Sequence, residues 1–490
     1  MTTVGQAGGA PASVAGFGVD YETGRPTWRP TDLESFAGLV GGYLATRPPD
    51  LGLVTEAQVE PVSKAELRPG GPDPFDPRQA GWAYVVHAGE PDQEGLVAAL
   101  RPLAEERGMR DPTRPVSYDG TSDPFTWVNQ TLRRMEPPPA YVLLVGDADR
   151  LPFSFQAALG TVASVGRLWF DGPDGRMDLD RLRGYVGKLL DLEERSTPAA
   201  SNDVLLFAPE WPPNPQGRPD ATHWSRTLMV GRLHELVQAG HPTYRVETIE
   251  AEAATRDRLL RELRSRAPAL LYTASHGFEV PARLGLGVQR RFNGAICCQR
   301  ESEYAPRAAF ALAGEDIGPE PFTPGGFVFQ FACFGYGTPS TSLFAHLRPD
   351  LMPYNAERDF VAALPQRLLG HPQGPIGFIS HVDPAFLHGF VTDPSQPGDN
   401  PWSGRMQPFE DAVEELLWLR PIGYALRGIT GQLGILNDRL AELWDDQRRD
   451  PAAAPAATGE LVDLFITRND ARSFLLLGDP GAKLRVEVPD

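Results

Sequence analysis

From residue 82 onward, short apolar runs alternate with amphipathic stretches, and the series occurs twice. In the first, "WAYVVHA" reads as a strand, and "EGLVAALRPLAEERG" and "FTWVNQTLRRME" read as helices. "AYVLLVGDADRLP" follows as a buried strand running into an acidic loop, and "LDRLRGYVGKLLDLEERST" as a long helix. The segment "PAASND" (198–203) separates this series from the second. There "DVLLFAPE" and "TYRVETIE" are strands, "DATHWSRTLMVGRLHELVQAG" and "TRDRLLRELRSRAP" are helices, and "LLYTASHGFEV" and "FVFQFACFGYG" are two further strands. "RDFVAALPQRLLGHPQG" then reads as a helix and "PIGFISHVD" as a strand. Strands alternating with helices indicate an α/β fold, with mainly parallel sheets covered by helices. In such sheets a ligand binds outside the carboxyl ends of the strands.

A chain of 490 residues exceeds one ordinary core. The expected divisions are a loosely patterned region 1–80, an α/β subdomain 81–200 and a second subdomain 201–490. The first region is rich in Gly, Pro and Asp, with one helix expected at "TDLESFAGLVGGYLATR". The last has two helical stretches in 407–449, a linker at "DPAAAPAATGE" and a closing strand–turn–strand at "SFLLLGDPGAKLRVEV".

The net charge of −18 argues against nucleic acid or an anionic membrane as partner, and is equally what a solvated acidic surface carries. No apolar run reaches the roughly 18 residues that would span a bilayer. "MTTVGQAGGAPASVAGFGVDYETG" lacks the basic and apolar regions of a secretory signal, so a cytoplasmic location is expected. Three cysteines do not build a disulfide framework, and the adjacent Cys297 and Cys298 are badly placed to bridge each other. A thiol is therefore free to act as a nucleophile.

Other chemistries lack their residues. There is no phosphate-cradling G-x-x-x-x-G-K-[ST] loop and no G-x-S-x-G elbow. "HELVQ" (234–238) has Gln238 where a zinc-binding helix needs its second histidine, and His381 and His388 lack a third ligand, so no metal and no cofactor are expected. Two apolar runs, however, end in reactive side chains: one in His276 followed by Gly277, the other in Cys333 beside small residues. An imidazole promotes the thiolate that attacks an acyl carbon. The Gly277 and Cys333 amides at those strand ends are candidate oxyanion donors, and a side chain at position 277 would obstruct the scissile carbonyl. Taken singly, Cys333 reads as a small core residue and His276 as a satisfied strand-end histidine. Their pairing favours catalysis.

"LLYTASHG" followed by "FVFQFACFGYG" resembles the His-Gly and Ala-Cys pair of the caspase-like (clan CD) cysteine peptidases, and more narrowly the gingipain family. "YVLLVGDADRLP", "SVGRLWF", "YVGKLLDLEE", "GPIGFISHVDPAF" and "LLLGDPGAKLRV" fall in that family's order, so the likeness spans roughly residues 80–490. The resemblance implies two side-by-side α/β subdomains, the second catalytic, and peptide-bond hydrolysis through an acyl-enzyme. It also implies that Glu210, after "LLFAP", orients His276, that Asp220 lies at the base of the S1 pocket, and that Phe386 lines the pocket wall. Asp220 reads equally as an ordinary helix N-cap. Cleavage after Arg or Lys is expected. The missing signal and the long 278–325 insertion depart from the family and point to a regulated intracellular bacterial protease acting on protein or peptide substrates, with an activating partner unspecified. The competing readings are an inactive scaffold that binds partners through the same fold, and an acyl transferase or amidase using the same dyad.

Overall fold

The computed structural model describes residues 13–14, 16–27, 31–32, 36, 38–40, 71–214, 217, 219–300, 302, 305–344, 354–390, 403–449 and 458–487. Of the helix expected over 31–47, Thr31 and Asp32 instead pair as a strand with Ser13 and Val14, and Phe36 and Gly38–Val40 are helical. The remainder of that stretch lies outside the described residues, as does most of the linker expected at 450–460.

A short strand, Gly18–Asp20 (β1), precedes the main body. The first series supplies Trp82–His87 (β2), Val116–Tyr118 (β3), Tyr141–Val145 (β4) and Ser164–Leu168 (β5). The second supplies Ser201–Ala208 (β6), Arg245–Glu250 (β7) and Pro268–Ala274 (β8). It continues with His276–Glu279 (β9), Ile296–Cys297 (β10), Ala311–Leu312 (β11), Phe327–Phe331 (β12) and Gly377–His381 (β13), and Phe474–Gly478 (β14) comes last. Ten of these form one sheet in the order β3-β2-β4-β5-β14-β13-β12-β8-β6-β7. The fold is α/β, with a large, mainly parallel sheet covered by helices, as the alternation predicts.

The two expected sheets are joined. β14 runs antiparallel to β13 along its whole length and meets β5 in parallel at Leu477 and Arg167. Strands of the two halves therefore point in opposite directions, and their carboxyl ends open on opposite edges. The closing segment forms only one strand. Gly478 leaves the ladder at φ 129°, a conformation open to glycine, and Pro480 just beyond has no amide to donate.

β8, β12 and β13 are buried on both faces, which explains why their sequences are apolar without alternation. Leu270, Leu271, Tyr272, Phe327, Val328 and Phe329 are fully buried, and each such aliphatic or aromatic side chain contributes about 1.5–3 kcal/mol. The long helices are Gln93–Glu106 (α1), Leu179–Glu194 (α2) and a continuous helical run over 221–240 (α3) that includes a π-turn at Ser225–Val230. They continue with Arg256–Ser265 (α4), Ala363–Gly370 (α5), Ser403–Leu417 (α6), Arg427–Arg449 (α7) and Thr458–Ser473 (α8). Among the described residues no helix is long and apolar enough to cross a membrane.

Candidate active site

β8 and β12 lie side by side with Ala274 opposite Phe331, so the residues two further on, His276 and Cys333, emerge at one edge of the sheet. The Ser275 amide still donates to the Phe331 carbonyl (3.1 Å), after which the chain leaves the large sheet. β9 then joins a small sheet in the order β11-β10-β9-β1. Within the 278–325 insertion, β10 lies beside His276, with Cys297 paired opposite it, and pairs on its other side with β11. Cys297 and Cys298 are buried and unbridged, and burial raises both thiols.

Gly277 is required by its neighbour. A Cβ there would come within 2.1 Å of the Cys333 carbonyl oxygen. The two strand ends touch through their backbones, which only glycine permits. Its amide is already engaged, donating to the Phe17 carbonyl at 2.9 Å, so in this state it is not available as the expected oxyanion donor. After Cys333, Phe334 adopts φ 55°, an uncommon value for a bulky side chain and a local store of strain.

The carboxylate that bonds the His276 imidazole is that of Asp220, not the expected Glu210. Asp220 Oδ1 lies 2.8 Å from His276 Nε2 and also accepts from the Thr222 amide (3.0 Å) and hydroxyl (2.7 Å). Burial pushes the Asp220 carboxyl up, but His276 and the Thr222 bonds outweigh it and hold the group below its ordinary range. The N-cap role read from the sequence is therefore also true, and the carboxylate is committed to both jobs. Glu210 instead pairs with His223 Nδ1 (2.8 Å) and Arg226 Nε (2.5 Å), an exposed-side ion cluster away from His276.

With Nε2 on Asp220, His276 carries its proton there and leaves a lone pair on Nδ1, which has no hydrogen-bond partner. Trp211 packs edge-on against the imidazole, with centroids 4.8 Å apart, and Arg300 lies over the indole. The sequence points to neither; position immediately after Glu210 was the only available signal.

Cys333 Sγ accepts from the Ala385 amide at 3.1 Å and is hydrogen-bonded to the Glu279 carboxyl. Burial first, and then the charge of Glu279, push the thiol well above its ordinary value. Burial, with the charges of Asp383 and Asp20 adding to it, likewise lifts Glu279 to about 8, and one of its oxygens has no partner. Asp383 is raised to about 7, chiefly by burial. Burial and the neighbouring carboxyl thus favour the thiol over the thiolate. His276 and Cys333 are both 0% exposed.

Phe386 does not line an open pocket. Its ring lies tilted against Phe344, with centroids 4.5 Å apart, in an apolar cluster with Phe465 and Ile466 of α8. Its amide donates to Asp470 Oδ1 (3.2 Å), and the residue bridges Gly16. His381 is likewise structural, held between the Asp383 carbonyl and Asp470. Among the described residues no three His, Cys, Asp or Glu side chains converge as metal ligands.

No family model and no curated protein matches this chain. Among solved structures, one described as "Structure of Protease" aligns with 82% of this chain and 78% of its own at 11% identity and a TM-score of 0.45. A second, described as a candidate LacI transcriptional regulator from Bacteroides fragilis, covers 61% of this chain and 84% of its own at 10% identity and a TM-score of 0.16. Neither likeness is close enough to carry an argument.

Proposed function

We propose that the chain is a cysteine endopeptidase in which Cys333 attacks the scissile carbonyl, His276 takes and returns the proton, and Asp220 holds the imidazole. The observation that carries this reading is His276 itself. One ring nitrogen is fixed by a carboxylate, and the other has an unused lone pair at the strand end beside Cys333. Most buried polar side-chain atoms find a partner, and what sets His276 apart from the other buried histidines is that its unpaired nitrogen lies at a strand end next to a cysteine. Attack by the thiolate forms a tetrahedral intermediate, the imidazolium protonates the leaving amine, and water drawn through the same nitrogen releases the acid from the thioester.

Substrates cut after Arg or Lys fit the setting. Glu279 and Asp383 are buried carboxyls close to Cys333 whose pKa values burial raises, and Glu279 keeps an oxygen without a partner, so a cationic side chain arriving there would draw them into their charged forms and pair with them. Three unbridged cysteines suit a reducing, cytoplasmic setting. The complete burial of the thiol favours a second reading, an inactive scaffold. Fluorogenic peptides with Arg, Lys, Asp or Leu at P1 separate the two. Hydrolysis of the Arg and Lys peptides that is lost in both Cys333→Ala and His276→Ala supports the peptidase; a preference for Asp overturns the basic specificity, and no hydrolysis once Cys333 has been made accessible supports the scaffold.

A further inference from the structure

β1 runs directly over the site. Gly18, Val19 and Asp20 pair in parallel with Gly277, Phe278 and Glu279, and Gly16 bridges Phe386 from the other side. Between these contacts the backbone of Phe17 spans the gap. Its amide donates to the Ala385 carbonyl at 3.0 Å and also lies on the Cys333 sulfur, and its carbonyl accepts from the Gly277 amide at 2.9 Å. The Phe17 ring is fully buried against His276 (centroids 5.9 Å apart) and Phe331 (5.0 Å). The segment therefore uses the edge of β9 and the loop after β13, the two backbone surfaces flanking the thiol. A peptide in extended form would need the same two surfaces to reach Cys333.

We infer that residues Gly16–Asp20 occupy the groove of an extended peptide ligand and hold the site closed, and that Cys333 becomes accessible when this strand leaves. The inference rests on the reading of Cys333 and His276 as the reacting pair for its consequence, but not for its geometry. The strand is three residues long, and the turn after it is tied down by Arg283 on Glu22 and by Arg300 and Arg307 on the Gly24 and Tyr21 carbonyls. Phe17 and Val19 are the segment's buried apolar side chains, and Asp20 is tied by the Tyr354 hydroxyl at 2.7 Å. Its fit depends on the absence of a side chain at position 18. A Cβ there would lie 1.8 Å from Glu279 Oε1 and 2.4 Å from both the Glu279 carboxyl carbon and Thr27 Oγ1. Glycine at this position is what lets the strand lie over Glu279 while that carboxyl stays turned toward Cys333.

The test is the rate at which iodoacetamide alkylates Cys333 in the full chain, located by peptide mass mapping, in wild type, Gly18→Val and Phe17→Ser. The expected result is slow labelling in the wild type and at least a tenfold increase in both variants. A synthetic peptide of residues 13–27, added in excess, should return the variants toward the wild-type rate. Near-ultraviolet circular dichroism identifies a variant that has lost its fold, in which case the other decides. Wild-type labelling as fast as that of either folded variant overturns the inference. Fast labelling of the variants with no peptide hydrolysis leaves the closed groove standing and removes the peptidase reading. Equal hydrolysis by wild type and variants does the reverse.

Discussion

An imidazole whose Nε2–H is held by a carboxylate keeps its Nδ1 lone pair aimed and basic, so the residue that supplies the carboxylate sets the catalytic tautomer. In the proposed mechanism that residue is Asp220, and Asp220→Asn is expected to lower kcat by about a hundred- to ten-thousand-fold. Glu210→Gln should leave kcat within about twofold, since orienting losses of the size expected for Asp220 require contact with the imidazole and Glu210 bonds His223 and Arg226 instead. The pair of kcat/KM values decides between the two acids. His276 and Cys333 are legible in the sequence because an apolar strand announces its own end. The choice of orienting acid is not, because it depends on how the chain folds back between Glu210 and Asp220, and no periodicity records that path. A second expectation concerns Glu279. Its folded value of about 8 lies above its ordinary 4.5, so the folded state favours the protonated form. That contribution is complete below the unfolded value and is lost as pH rises through about 8. Comparing urea melts at pH 6 and pH 9, the wild type should lose on the order of a few kcal/mol relative to Glu279→Gln. What pH dependence Glu279→Gln retains in this range is set by the other buried groups, among them Asp383, raised to about 7, and Lys188, lowered to about 7, which act in opposite directions. An unchanged slope would remove Glu279 from the account.

Helix α2 carries one buried cation, Lys188, whose ammonium donates to the carbonyls of Leu369 (2.6 Å), His371 (2.9 Å) and Pro375 (2.9 Å) at the end of α5. Burial lowers its pKa to about 7, yet three acceptors converge on one nitrogen, which only the charged form satisfies in full. The lysine thus pins a helix of the second series to one of the first. Lys188→Met would strand three carbonyls and should destabilise the protein by about 2–4 kcal/mol, read from urea denaturation. The helix containing Lys188 is plain from the sequence periodicity. The clasp is invisible there, because a lysine on an amphipathic helix ordinarily reads as part of its solvated face. The same limit applies to β1. Two glycines around one phenylalanine carry no strand pattern, and the segment gains its structure only from the edge it covers.

The continuity of the whole sheet rests on β14, which the chain reaches last. It pairs with β13 over five residues and touches β5 at Leu477, so the large sheet is completed only when the carboxyl-terminal strand docks. Leu476→Ala, at a fully buried position, should cost about 2–5 kcal/mol and should loosen both halves together, measured as a single shifted transition rather than two. Strand and helix identities are recoverable from the alternation, but the joining of two series into one sheet is not, because pairing partners are set by tertiary packing. The central claim is that Cys333, uncovered, performs the hydrolysis with His276. It is tested most directly by kcat/KM for an Arg-P1 peptide in the full chain carrying Gly18→Val, with and without Cys333→Ala. Hydrolysis by the first and a fall of at least about ten-thousand-fold in the second is the expected result; undiminished hydrolysis without the Cys333 thiol would contradict it.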